Sequence, residues 1–221
     1  MMRVVTGQAK GRRLYAVPGD STRPVTDRVK VSLFNILGDS VAEARFLDLF
    51  AGTGGIGIEA LSRGAALAVF VERNERALAT IRRNLELTRL GSVAQVVRRD
   101  VFRFLESYQG EAFDIVYVAP PQYKGLWLRT LQLLDGSSVV AEGGLVVAQI
   151  HPREYEAVDL SQLELSDQRK YGSTMLCFYE ARPPGPQSVT ATPGRAVSSG
   201  SQPSADPRSP QSDCSAARPA T

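Results

Sequence analysis

Between residues 45 and 182, short apolar runs alternate with amphipathic stretches, and few folds can accommodate that alternation. Strands are expected at 45–49, 68–72, 94–98, 113–118 and 144–150. Helices are expected at 55–63, 74–90, 101–108 and 123–134, one after each of the first four strands. Strands linked through helices return in the same direction, so this part of the chain predicts a parallel sheet with helices packed on it. The last two candidate strands, 157–165 and 174–181, have no long helix between them and should pair antiparallel. The expected fold class is therefore α/β, with a seven-stranded sheet whose final strand is reversed.

Ahead of this core, RVVTGQAKGRRLYAV predicts a β-hairpin with its turn near Lys10 and Gly11. A helix over 27–38 should follow, capped by Asp27 and carrying Val31, Phe34 and Leu37 on its apolar stripe. The first thirty residues hold seven cations against Asp20 and Asp27, a local charge of +5 in a chain of net +3. A basic edge of this kind attracts polyanions. From 183 to 221 the chain is dominated by Pro, Gly and Ser, cannot bury enough surface to offset ordering entropy, and is expected to be disordered. The organisation read from sequence is a basic hairpin extension at 1–22, one folded domain at 23–182 and a tail at 183–221.

Several classes are unfavoured by the residues present. No run of about 18 apolar residues could span a bilayer and the N-terminus lacks an apolar leader block, so a cytoplasmic protein is expected. Cys177 and Cys214 read as a buried small hydrophobe and a tail thiol rather than a disulfide. His151 is the single histidine of the chain, which excludes a His-rich metal centre, and it reads as a loop or substrate-rim residue.

The densest signal is FLDLFAGTGGIGIEALSRGA, a strand that ends in a glycine-rich turn and opens a helix. Gly52, Gly54 and Gly57 have the G-x-G-x-x-G spacing that lets backbone approach a nucleotide and aims helix N-terminal amides at it. That spacing suits NAD and S-adenosylmethionine equally. Glu72, 20 residues after Gly52, could accept the ribose hydroxyls of either. Asp48, at the end of the first strand, favours a cofactor with a cationic methionine head over one with a pyrophosphate there. Asp100 is placed for the adenine amine, beside the Val101 amide and the apolar Phe102. Phe50, Ala51 and Arg73 complete the cofactor candidates, and no metal ligand is expected.

These stretches, with GQAKGRRL, TRPVTDRVKVSLFNIL, FVERN and RKYGSTMLCFYE, resemble the RsmD-type methyltransferases, which methylate N2 of a guanine in 16S ribosomal RNA. The resemblance runs from Arg3 to Glu180. It implies the class I S-adenosylmethionine-dependent methyltransferase fold and action on 16S rRNA within the small ribosomal subunit or its assembly intermediate; a monomer is expected. It further implies that Thr26, Asp27 and Arg28 help close the cofactor pocket and that Lys10, Arg12, Arg13 and Arg23 face RNA.

The chain departs from the family where the chemistry is expected. The usual motif after the fourth strand is Asp-Pro-Pro followed by an aromatic; here VAPPQY puts Ala119 at the acid position and Gln122 before Tyr123. A guanine amine is a poor nucleophile until acceptors orient its lone pair. The expected catalytic set is Ala119 and Pro120 through their carbonyls, Pro121 through turn geometry, Gln122 through its side-chain oxygen, and Tyr123 stacked on an extruded base. The alternatives are a cofactor- and RNA-binding protein without turnover, an amino-methyltransferase of another base in RNA or DNA, and a nicotinamide oxidoreductase.

Overall fold

The computed structural model describes residues 2–19 and 26–182. Its elements are α1 (Asp27–Leu37), β1 (Arg45–Leu49), α2 (Gly55–Ser62), β2 (Leu67–Glu72), α3 (Glu75–Thr88), β3 (Ala94–Arg98), α4 (Val101–Ser107), β4 (Phe113–Val118), α5 (Leu126–Asp135), β5 (Val140–Ile150), β6 (Leu163–Tyr171) and β7 (Thr174–Ala181). The strands form one sheet in the order β3-β2-β1-β4-β5-β7-β6. Strands β1 to β5 pair in parallel, and β7 runs antiparallel to both β5 and β6. This is the class I methyltransferase fold.

Alternation along the strands splits the core into two layers. Phe46, Phe70, Ile115, Tyr117, Val147 and Phe178 pack on one face with residues of α1, α2 and α3. Leu47, Leu49, Val69, Val71, Val116 and Val118 pack on the other with α4 and α5. Helix α2 packs hard on the sheet, where a Cβ at Gly57 would lie 2.4 Å from the Phe70 ring. The third glycine of the motif is thus a packing requirement.

Several sequence-based boundaries move. The sixth strand lies at Leu163–Tyr171 rather than 157–165, because the Asp135 carboxylate accepts the amides of Ser161, Gln162 and Leu163 and holds that segment as a loop. Gly172, at φ 61, and Ser173 then make the tight turn into β7. Helix α5 starts at Leu126 after a left-handed Gly125, not at 123, and β5 starts at Val140, four residues before the expected 144, through a register shift opposite β4. The cap of α1 is Thr26, whose hydroxyl accepts the Val29 amide, rather than Asp27. The expected N-terminal hairpin contracts to one antiparallel bridge, Arg3 with Arg13, around a compact loop.

That loop is fastened to α2. The Glu59 carboxylate accepts the amides of Val5 and Thr6 at 2.7 and 2.9 Å and pairs with Arg63 at 3.1 Å and Lys30 at 3.4 Å. Lys30, whose Nζ also donates to the Arg3 carbonyl, is 2% exposed and Glu59 is 0% exposed. Burial lowers the Lys30 pKa, and the Glu59 charge opposes it. Ser62 donates to the Thr6 carbonyl and accepts the Ala9 amide. Gly7, at φ 83, lies so close that a Cβ would overlap the Ser62 carbonyl, so the loop needs glycine there.

Glu59→Ala would leave the Lys30 ammonium buried without its carboxylate and is expected to destabilise the fold by about 3–5 kcal/mol. Adding Lys30→Met should recover part of that loss. Urea midpoints of the single and double variants test both statements.

Candidate active site

The glycine loop leaves β1 through a succession of left-handed residues: Phe50 at φ 61, Gly52 at φ 55 and Gly54 at φ 74. Phe50 is the costly member, since a bulky side chain in this region costs about 1–3 kcal/mol and persists only where surroundings impose it. Four contacts impose it here. Glu72 Oε2 accepts the Gly52 amide at 3.0 Å and Asp48 Oδ2 accepts the Gly57 amide at 3.0 Å. The Asn84 side-chain amide donates to the Thr53 carbonyl at 3.0 Å, and the Thr53 hydroxyl lies 3.3 Å from Met2 Sδ.

Each predicted acid has a backbone task. Asp48 is 2% exposed, and burial pushes its carboxyl up to about 8; the Gly57 amide opposes this and the Glu72 charge adds to it. Glu72 is half-buried, and beyond Gly52 its Oε1 accepts the amides of Arg73 and Asn74 at 2.8 Å. Of about four acceptor positions on a carboxylate, three are filled, so Oε2 keeps one open. Asp100 caps α4 by accepting the amides of Phe102 and Arg103, and its Oδ2 lies 3.5 Å from the exposed Arg73 guanidinium.

Beside these acids, Ala51 and Val101 are buried, while Phe50 and Phe102 meet edge to face at 6.3 Å. The Arg129 guanidinium, on α5, lies 4.0 Å over the Phe102 ring. Nothing in the spacing of the sequence singled out Arg129 or Asn84.

The VAPPQY turn leaves β4, the parallel neighbour of β1, and the Ala119 amide lies 3.5 Å from the Leu49 carbonyl. Both turns therefore leave the sheet at the same end and side by side. Pro120 is buried and Ala119 half-buried, whereas Pro121, Gln122 and Tyr123 are exposed. Below them the buried Tyr117 hydroxyl donates to Gln149 at 2.6 Å; burial raises its pKa, and the Asp48 charge adds to the rise. Tyr123 sits at φ 59 with its amide donated to Glu154 at 2.5 Å. Glu154 was not foreseen, although the spacing in HPRE is that of a capping box, which it forms with His151.

Lys10, Arg12 and Arg13 are exposed on the N-terminal loop, while Arg23 lies outside the described residues. Thr26 caps α1, Arg28 is exposed in its first turn, and Asp27 pairs with Arg3 at 3.0 Å. Among the described residues, the hydrogen bonds and ion pairs do not join Thr26 or Arg28 to the glycine loop. No cluster of metal-ligating side chains and no helix long and apolar enough to cross a membrane occurs among the described residues.

A family model described as Conserved hypothetical protein 95 matches residues 2–180. The Bacillus subtilis protein "Putative rRNA methyltransferase YlbH" is 41% identical over 184 residues, covering 82% of this chain and 100% of that one. Ribosomal RNA small subunit methyltransferase D of Escherichia coli K12 is 36% identical over 148 residues, 67% of this chain and 74% of that one. The solved structure of yhhF from Escherichia coli matches with a TM-score of 0.74 at 32% identity, over 82% of this chain and 98% of that one.

The raised Asp48 pKa has a defined sign. Between the ordinary 3.8 and about 8, the folded chain holds a proton that the unfolded chain releases, so stability falls as pH rises through that window and levels above it. Asp48→Asn, which keeps an acceptor for Gly57, should remove this component. Denaturant midpoints of both proteins at pH 5, 7 and 9 measure it, and parallel profiles would mean that Asp48 is ionised throughout.

Proposed function

Since the chain belongs to the Conserved hypothetical protein 95 family, the RsmD-type rRNA methyltransferases, we propose that it uses S-adenosylmethionine to methylate the N2 amine of a guanine in 16S rRNA. The substrate is the small ribosomal subunit or its assembly intermediate, and the enzyme acts as a cytoplasmic monomer. The observation that carries this reading is the adjacency of the two turns: the loop leaving β4 lies against the end of β1, from which the glycine loop departs.

The residues fit the cofactor. At Gly52 a Cβ would meet nothing nearer than 3.9 Å, so the loop's outer side is open backbone. The remaining acceptor position of Glu72 suits a ribose hydroxyl, and Asp100 with the Val101 amide suits an adenine edge. Phe50 and Phe102 supply apolar surface. Asp48 answers a cationic methionine head: a positive charge nearby draws its carboxyl back toward ionisation, so binding at neutral pH releases a proton. When bound, S-adenosylmethionine supplies an electrophilic methyl group on a sulfonium that leaves readily.

Orientation of the amine falls to the VAPPQY turn. The Ala119 and Pro120 carbonyls, with the Gln122 side-chain oxygen, accept the amine hydrogens and aim its lone pair; the rigid Pro-Pro geometry fixes their direction. Tyr123 stacks on the extruded base. The proton leaves to water after transfer. Lys10, Arg12, Arg13 and Arg23 contact RNA phosphates, so affinity should weaken steeply with salt. Ala119 favours a second reading, a cofactor- and RNA-binding protein without turnover, because its methyl group accepts nothing.

Incubation with methyl-labelled S-adenosylmethionine and small subunits from cells lacking this protein separates the two. Labelled N2-methylguanine in the digested rRNA is the expected product; cofactor binding without transfer would leave the binding reading. Pro121→Ala and Tyr123→Ala should each lower kcat by about tenfold or more while cofactor affinity stays within about twofold. Calorimetry beside the transfer assay checks this split.

A further inference from the structure

The Glu154 carboxylate joins two loops that come from different strands. Its Oε1 accepts the Tyr123 amide at 2.5 Å and its Oε2 accepts the His151 amide at 3.2 Å. Tyr123 belongs to the turn leaving β4 and His151 is the first residue after β5. These strands are parallel neighbours, so both loops leave the same end of the sheet as the glycine loop. A further bond orients the imidazole, whose Nδ1 accepts the Arg153 amide at 3.1 Å. The Tyr123 and His151 rings then stand with centroids 5.3 Å apart at 41°.

Tyr123 is 65% exposed and sits at φ 59, a backbone conformation that a bulky residue keeps only under external constraint. Glu154 supplies that constraint and keeps the ring outward, against a second ring that is itself fixed. Paired flat rings at the mouth of a site match the π-face of a nucleobase, which stacks on aromatic residues.

Resting on the methyltransferase reading above, we propose that Tyr123 and His151 form a two-ring platform for the substrate purine and that Glu154 is the positioning residue that holds it. His151 acts through its ring face, since its Nδ1 is already engaged by the Arg153 amide. With alanine at position 119, the orientation of the base depends on stacking and backbone carbonyls together.

The chain contains one histidine, so in the untagged full-length protein every imidazole NMR signal belongs to His151. Guanosine monophosphate at millimolar concentration, added with S-adenosylhomocysteine, should shift those signals saturably. Glu154→Ala should move them before nucleotide is added and weaken the response about fivefold or more, with the thermal midpoint retained. In methyl transfer to small subunits, His151→Ala should lower kcat/KM by about tenfold, while His151→Phe restores most of the rate and cofactor affinity is unchanged in both.

Imidazole signals that ignore the nucleotide, or a His151→Ala variant with full activity, would overturn the platform. So would a His151→Phe variant as slow as the alanine variant, which would make His151 a proton-transfer group. If the wild-type protein transfers no methyl group yet the nucleotide still shifts the imidazole, the assigned reaction falls and the platform stands.

Discussion

One buried carboxylate decides how the parts of this molecule meet. Glu59 takes the amides of Val5 and Thr6, the Lys30 ammonium and the Arg63 guanidinium into a single network with no exposure of its own. A charge so placed is tolerable only because each oxygen is matched. The same helix, α2, is pinned at its first turns by Asp48 through the Gly57 amide and pressed on Phe70 where a side chain would not fit. The basic loop and the glycine loop are thereby two ends of one rigid eight-residue element.

Loop shape in this site is set by carboxylate-to-amide bonds. Asp48, Glu72 and Asp100 each hold backbone N–H groups at the end of a strand, and Glu154 does the same for the turn that carries Tyr123. Such bonds are stronger than neutral ones and fix direction, so they suit backbone held in left-handed conformations at Phe50 and Tyr123. What these bonds leave open is one acceptor position on Glu72 Oε2 and backbone that is already formed.

The central strands were legible because burial on both faces leaves continuous apolar runs, and β1, β4 and β7 have the boundaries the pattern predicts; so does the half-exposed edge strand β3, through its Val96-Val97 pair. The pattern failed at β6, where an exposed edge strand carries no apolar signature and the real clue was the Gly-Ser pair at the turn. Within the site, the glycine loop and the VAPPQY turn could be read from spacing, and their adjacency follows from strand order. The partners that hold them could not: Asn84, Arg129 and Glu154 act across 31 residues or more, or through a ring face, and no local periodicity records such contacts.

The N-terminal loop closes on itself through local backbone bonds, but the side chains that fasten it to the rest of the fold lie far along the chain. Glu59 lies 54 residues beyond Val5, Ser62 lies 53 beyond Ala9, and Asn84 lies 69 beyond Tyr15. Residues 2–15 therefore gain these partners only once α2 and α3 have been synthesised, and each such contact closes a loop of more than fifty residues. The earlier part of the chain is thus fixed by later parts, and the cations it carries are set on the surface by α2 and α3 rather than by their own neighbours in sequence.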